Sequence, residues 1–163
     1  FELYPQSIEF DLPFPDTKTN ESLGENVKKE LIQDDFQSEI LKIEEEIYQE
    51  LELPYRVLEM CTGDLGAMAA RKFDVEVWMP GRNDYGEVTS TSNCTDYQAR
   101  NLNIKYKKKN GETDYLHMLN GTAVVMSRVP VAILENFQNE DGSVNIPQVL
   151  QKWMGKEKIE IRK

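Results

Sequence analysis

This chain is poor in the residues that carry most protein-borne chemistry. It has one histidine, His117, and two cysteines, Cys61 and Cys94. With no Cys-x-x-Cys pair, a structural zinc site has no support. Two reduced thiols of an intracellular protein fit better than one disulfide. A Ser-His-Asp triad would have to recruit His117, which alternates with Tyr115 and Leu119 as a strand residue does. No Walker-type glycine loop is present. No apolar run approaches the roughly 20 residues that span a bilayer, and no secretory signal is visible. The chain begins at Phe1 rather than Met, and a processed or trimmed piece is the expectation from that start.

Positive charge is also scarce. Lys plus Arg total 19 against 29 Asp plus Glu, a formal net charge of −10 over 163 residues. That balance argues against broad, nonspecific binding to nucleic acid or to an anionic membrane. The one basic run, Lys105-Tyr106-Lys107-Lys108-Lys109, reads as a solvated hairpin arm leading into Asn110-Gly111. The length suits a single core.

Hydrophobic periodicity divides the chain. Residues 1–35 read as an irregular acidic segment punctuated by Pro5, Pro13 and Pro15. Phe36, Ile40, Ile43, Ile47 and Leu51 then recur at helical spacing, predicting an amphipathic cover helix. After Pro54 the period changes. Tyr55 to Cys61 is a strand, and Phe73, Val75, Val77 and Met79 alternate with polar residues as in a half-buried strand. Residues 96–102 fit a short helix or a strand. Ile104–Lys107 and Tyr115–Asn120 flank the Asn110-Gly111 turn as an antiparallel pair. Ser127 is the expected N-cap of a helix with Pro130 in its first turn and an apolar stripe of Val131, Leu134 and Phe137. A last helix over 147–154 stops at Gly155. Strands in the middle and helices at the ends predict an α+β fold, an antiparallel sheet flanked by helices.

One strand breaks the pattern. Glu87-Val88-Thr89-Ser90-Thr91-Ser92-Asn93 lies where a central strand belongs, yet it is nearly all oxygen-bearing side chains. Polar groups are not buried in a row without partners, so this strand faces a wet cleft, a metal or a polar ligand. Glu87 and Ser90 suit a hard cation such as magnesium that also binds phosphate oxygens. In a regular strand, residues three apart point to opposite faces, so a shared ion requires a bulge or strong twist between them. Arg128 in the first turn of a helix opposes the helix dipole unless an anion lies between them. Phosphate is the natural candidate. Asn120 and Thr122, just upstream, could read a small polar ligand or cap a turn.

In order and spacing, these segments resemble the C-terminal half of the catalytic core of seryl-tRNA synthetases, which are class II aminoacyl-tRNA synthetases. The matching stretches are Leu53-Pro54-Tyr55-Arg56, Cys61-Thr62-Gly63-Asp64-Leu65-Gly66 and Phe73-Asp74-Val75-Glu76-Val77-Trp78-Met79-Pro80-Gly81. Gly86-Glu87-Val88-Thr89-Ser90, Ser92-Asn93-Cys94-Thr95-Asp96-Tyr97-Gln98-Ala99-Arg100 and Leu119-Asn120-Gly121-Thr122-Ala123 continue the match. Arg128 with Ala132-Ile133-Leu134-Glu135-Asn136, similar to the family's motif 3, completes it. The likeness covers roughly residues 36–155, which makes 36–163 the C-terminal half of a synthetase-like catalytic domain.

The resemblance implies a ligase that activates serine with ATP to seryl-adenylate and transfers it to tRNA. Glu87 and Ser90 would hold magnesium and ATP phosphates, with Val88 and Thr89 beside the nucleotide. Arg128 would meet the γ-phosphate and lie against the adenine. Asn120 and Thr122 would recognise serine. A homodimer and a cytoplasmic location, or alternatively a mitochondrial one, also follow from the likeness.

The departures lie upstream. Residues 1–35 do not resemble motif 2, and Glu21, at about the right distance for that motif's glutamate, lacks matching neighbours. Motif 1 and the tRNA-gripping coiled-coil arm have no counterpart. The polypeptide alone is therefore expected to be a poor catalyst. The competing readings are a non-catalytic synthetase paralogue serving as a binding or assembly module, and an acidic interaction domain without a ligand. Half a sheet is also expected to leave apolar surface exposed.

Overall fold

A computed structural model describes residues 25–161, with side chains from residue 33 onward. Residues 1–24, which include Glu21 and the three early prolines, lie outside the described residues. In chain order the elements are α1 (Glu25–Glu50), β1 (Tyr55–Glu59), β2 (Arg71–Met79), β3 (Asp84–Asn93), α2 (Tyr97–Leu102), β4 (Lys105–Lys107), β5 (Thr113–Tyr115), β6 (Leu119–Gly121), α3 (Val129–Phe137), β7 (Val144–Asn145), α4 (Gln148–Met154) and β8 (Lys158–Ile159). The main sheet is fully antiparallel in the order β1-β2-β3-β6, and β4–β5 and β7–β8 form two small ribbons. The α+β expectation holds.

Local details differ in instructive ways. Helix α1 begins at Glu25, so the expected boundary at residue 36 falls inside a helix. The expected arm Tyr115–Asn120 divides in two. Its start, in β5, pairs with β4, and its end, in β6, pairs with β3. The 96–102 segment is a helix closed by Asn103 in the left-handed region, φ 54°.

The core lies on one face of the sheet. Val75, Val77 and Met79 of β2 and Val88 of β3 join Tyr48 of α1, Leu51 just beyond its end, and Val129 and Ala132 of α3 in one buried cluster. On α3 the expected stripe is rotated. Val131 and Leu134 are exposed, while Ala132, Ile133 and Phe137 pack inward. Two hydrogen bonds fix that rotation: Asn136 Nδ2 donates to the Trp78 carbonyl at 2.9 Å, and the Gly81 N–H donates to Glu135 Oε2 at 2.9 Å. They seat α3 on the end of β2 and on the turn into β3.

On α1 the expected stripe also fails at its centre. Ile43 is 57% exposed, whereas Gln37 and Glu44 are fully buried. Gln37 Nε2 donates to the Arg71 and Thr91 carbonyls at 3.3 Å each. Among the described residues Glu44 has no hydrogen-bond partner on either carboxylate oxygen. It lies against Gly121, where a Cβ would stand 3.1 Å from Glu44 Oε1 and 2.9 Å from Ile40 Cγ2. Glycine at 121 is what lets the helix approach β6 this closely. Exposed apolar groups remain, as expected of an open sheet. Trp153 is 80% and Met126 77% accessible.

Candidate functional site

The face of the sheet opposite the core is built by register. Glu76 of β2 pairs with Glu87, and Asp74 pairs with Ser90. Paired residues of antiparallel strands point the same way, and Asp74 and Glu76, two apart, share a face. Glu87 and Ser90 therefore share that face although they are three apart. The register shift at Val75/Glu76 makes this possible: Val88 is the extra residue of a β-bulge,. This is the bulge that the shared-ion reading requires.

The same logic extends to the sheet edge. Ser92 pairs with Asn120, and the Thr122 N–H donates to the Ser90 carbonyl at 3.3 Å. Asn120 thus stands beside Ser92 and Thr122 beside Ser90, both on the polar face and both exposed. Val88 and Thr89 differ: their side chains are buried, Val88 in the hydrophobic cluster and Thr89 at 1% exposure with its hydroxyl unpartnered. Only their backbone is left to line a nucleotide.

Arg128 closes the opposite end. Its Nη1 lies 2.8 Å from Glu87 Oε2 and donates to the Glu87 carbonyl at 3.3 Å. Arg128 is itself the N-cap of α3, and neither it nor Ser127 caps through a side chain. The Arg128 and Val129 N–H groups both donate to the Val125 carbonyl instead. Ser127 is left to line a hollow of ≈ 330 Å³ together with Met79, Arg82, Gly86, Glu87, Arg128 and Val131. Two other hollows, one between α1 and the β4–β5 ribbon beside His117, the other between α1, α3 and α4, are mainly apolar. The His117 ring is exposed and shares a hydrogen bond with Gln33 Oε1 at 3.1 Å.

The polar face is rich in carboxylates, each held by a cation. Arg56 pairs with Glu76 at 2.7 Å and lies 4.2 Å from the Tyr85 ring centroid. Lys72 pairs with Asp74 at 2.9 Å. Burial pushes the Asp74 carboxyl up from its ordinary range; Lys72 opposes this, and the charges of Glu87 and Glu76 add to it. Mutual repulsion between Asp74, Glu76 and Glu87 is what a cation on this face would relieve. Among the described residues no group of three or more His, Cys, Asp or Glu forms a metal cage. Two oxygens with room for others suit an ion that takes its remaining ligands from phosphate and water. Sequence reasoning assigned no role to Arg82, Arg56 or Ser92. Their signal was the alternation of β1 to β3, which places Arg56 and Ser92 on the polar face once the bulge is known.

A family model, tRNA synthetase class II core domain (G, H, P, S and T), matches residues 26–137. The chain is similar to the serine--tRNA ligase of Dictyoglomus thermophilum, 63% identical over 124 residues, and to that of Rubrobacter xylanophilus, 60% identical over 125 residues. These alignments cover 76% and 77% of this chain but 29% and 30% of the relatives, so the chain spans about three-tenths of their length. Among solved structures it is similar to the seryl-tRNA synthetase of Pyrococcus horikoshii complexed with ATP, with 51% identity, TM-score 0.76 and coverage of 79% of this chain and 29% of that one. The cytoplasmic serine-tRNA ligase of Naegleria fowleri in complex with AMP matches with 44% identity, TM-score 0.73 and coverage of 79% and 31%.

Proposed function

The chain belongs to the class II tRNA synthetase core family, and from that premise we propose that its polar face holds ATP with magnesium, and serine beside it, as the substrate-positioning part of a serine–tRNA ligase. The observation that carries this is the bulge at Val88, which turns Glu87 and Ser90 to one side with Arg128 against Glu87. Magnesium, when bound, neutralises and bridges phosphate oxygens. Glu87 and Ser90 are the residues that would hold it.

The Arg128–Glu87 pair is the resting arrangement. Its two side chains are 46% and 35% exposed, so the pair contributes at most about 1 kcal/mol. Glu87 turns to the cation and Arg128 to phosphate at little cost. Arg128 then meets the γ-phosphate and lies against the adenine, while the Val88 and Thr89 backbone borders the nucleotide. Asn120 and Thr122 recognise serine at the β6 edge. The serine carboxylate attacks the α-phosphorus and pyrophosphate leaves, so no protein nucleophile is required. Catalysis is by positioning and by electrostatic stabilisation of the phosphoryl centre. tRNA is the acceptor of the activated serine, and a second copy of the chain is the family-implied partner. The cytoplasm is the proposed compartment, with the mitochondrion as the alternative. Among the described residues no helix is long and apolar enough to cross a membrane.

Calorimetric titration of the chain with ATP, with and without magnesium, tests the reading. Magnesium is expected to tighten ATP binding by roughly tenfold, about 1.4 kcal/mol. Glu87→Gln is expected to remove that dependence. ATP binding indifferent to magnesium in both proteins would contradict it. Serine-dependent ATP–pyrophosphate exchange separates a ligase from a non-catalytic synthetase paralogue.

A further inference from the structure

The hollow between α1 and the β4–β5 ribbon has no part in the site above. Gln33 and Phe36 of α1, Tyr106, Tyr115 and Leu116 of the ribbon and its exit, and Leu119 of β6 line it, and its volume is ≈ 300 Å³. Leu119 turns to the hollow while Asn120, the next residue, lies on the polar face, so the hollow opens away from that face,. Its lining is mostly apolar, yet its rim is basic. Arg100 and Lys105 lie 4.7 and 4.8 Å from the Tyr115 ring centroid. Lys107, Lys108 and Lys109 continue the ribbon. Among the described residues Asp96 pairs with Arg100 at 2.6 Å and Asp114 with Lys108 at 3.0 Å, and Lys105, Lys107 and Lys109 join no ion pair. An apolar floor beside unpaired lysines calls for an occupant that is apolar and acidic together. A volume this small takes a few side chains, not a folded partner.

Residues 1–16 have that chemistry. They carry Glu2, Glu9, Asp11 and Asp16 and no lysine or arginine. Ile8, Phe10, Leu12 and Phe14 alternate there with Glu9, Asp11 and Pro13. The segment is also within reach. Helix α1 begins at Glu25, eight residues or about 12 Å of helix before Gln33,. Phe14 precedes Glu25 by eleven residues, about 36 Å of extended chain,. The other apolar hollow lies farther along α1. Ile47 on its wall is fourteen residues, about 21 Å, beyond Gln33, and Glu50 stands there rather than a lysine,.

We propose that residues 8–14 of this chain dock in the hollow between α1 and the β4–β5 ribbon, with Phe10 and its apolar neighbours against Phe36 and Leu116, and Glu9 and Asp11 toward Lys105 and Lys107. The contact is made within one chain and leaves the polar face open.

Paramagnetic broadening of amide signals in the whole chain tests this. Cys61 is exposed and Cys94 buried, so a nitroxide on Ser7→Cys in a Cys61→Ser chain marks the segment alone. Broadening is expected at Phe36, Tyr106, Leu116 and Leu119, with little at Ile47, Val149 and Leu150 around the other hollow. A mixture of isotope-labelled chain without nitroxide and nitroxide-bearing chain without isotope is expected to show none of it. Lys105→Glu combined with Lys107→Glu, and separately Phe10→Ser, are each expected to cut the broadening by about half or more. Broadening spread evenly, or centred on Ile47 and Leu150, would overturn the proposal. So would equal broadening in the mixture, which would seat a second copy in the hollow. Broadening at the ribbon that survives both sets of substitutions would overturn it too, since the segment would then lie near the hollow without being held by it.

Discussion

Arg128→Ala is expected to weaken ATP binding by roughly ten- to a hundredfold, the loss typical of a charge-assisted hydrogen bond. The substitution would remove the proposed phosphate contact and also leaves Glu87 without the cation that sits 2.8 Å away. A carboxylate then faces the incoming polyphosphate, and the two effects act in the same direction. Because Arg128 is also proposed to lie against the adenine, adenosine binding is expected to fall too, by less than ATP binding. Arg128→Lys restores charge but not the planar group, so it recovers part of the ATP loss. Lys108→Ala is the negative control, since Lys108 is occupied by Asp114 at 3.0 Å in the β4–β5 ribbon. Isothermal titration reads all four. Equal effects of Arg128→Ala and Lys108→Ala would remove Arg128 from the site.

The second large effect is on stability. Glu44 is 1% exposed, and neither carboxylate oxygen has a partner among the described residues. Burial raises its pKa from 4.5 to about 7. Below the unfolded value the group is protonated in both states and has no effect on stability. As pH rises between the two values, the unfolded chain releases the proton and the folded chain keeps it. Stability falls by about 1.4 kcal/mol per pH unit across that window. Above the folded value the loss is complete, on the order of 3 kcal/mol. Glu44→Gln cannot ionise. Its stability relative to wild type is expected to rise by that amount between pH 4.5 and pH 8. Urea unfolding of both proteins at the two pH values measures the difference, and other titrating groups cancel in the comparison. Parallel pH profiles would show that Glu44 does not keep its proton in the folded chain.

Glu44 also illustrates what periodicity leaves hidden. Ile43 and Glu44 differ by one helical step, and the pattern favours the isoleucine as the inward residue. The approach of α1 to Gly121 turns the helix so that Glu44 goes in and Ile43 goes out. No local preference encodes that contact, because its partner lies on β6. The stripe of α3 is displaced for a similar reason: Glu135 and Asn136 fasten the helix to the β2–β3 turn and set which side faces the sheet.

The polar strand was legible because its composition conflicts with a buried position. That conflict leads directly to Glu87, Ser90 and the need for a bulge. Arg128 was legible because a cation at a helix start calls for an explanation. The separation of β5 from β6 was hidden. Tyr115 and Asn120 belong to one apparent arm in the sequence, but they pair with different strands, and that pairing brings Asn120 and Thr122 to Ser92 and Ser90.

In the proposed complex the bulge at Val88 brings Glu87 and Ser90 onto one hard cation that is shared with a triphosphate. Crystals of the chain grown with ATP and manganese, measured at the manganese absorption edge, test it most directly. One anomalous peak is expected within coordination distance of the Glu87 carboxylate and the Ser90 hydroxyl, with phosphate density running from it toward Arg128. A peak elsewhere on the molecule, or nucleotide density that avoids this face while manganese and ATP are present, would contradict it.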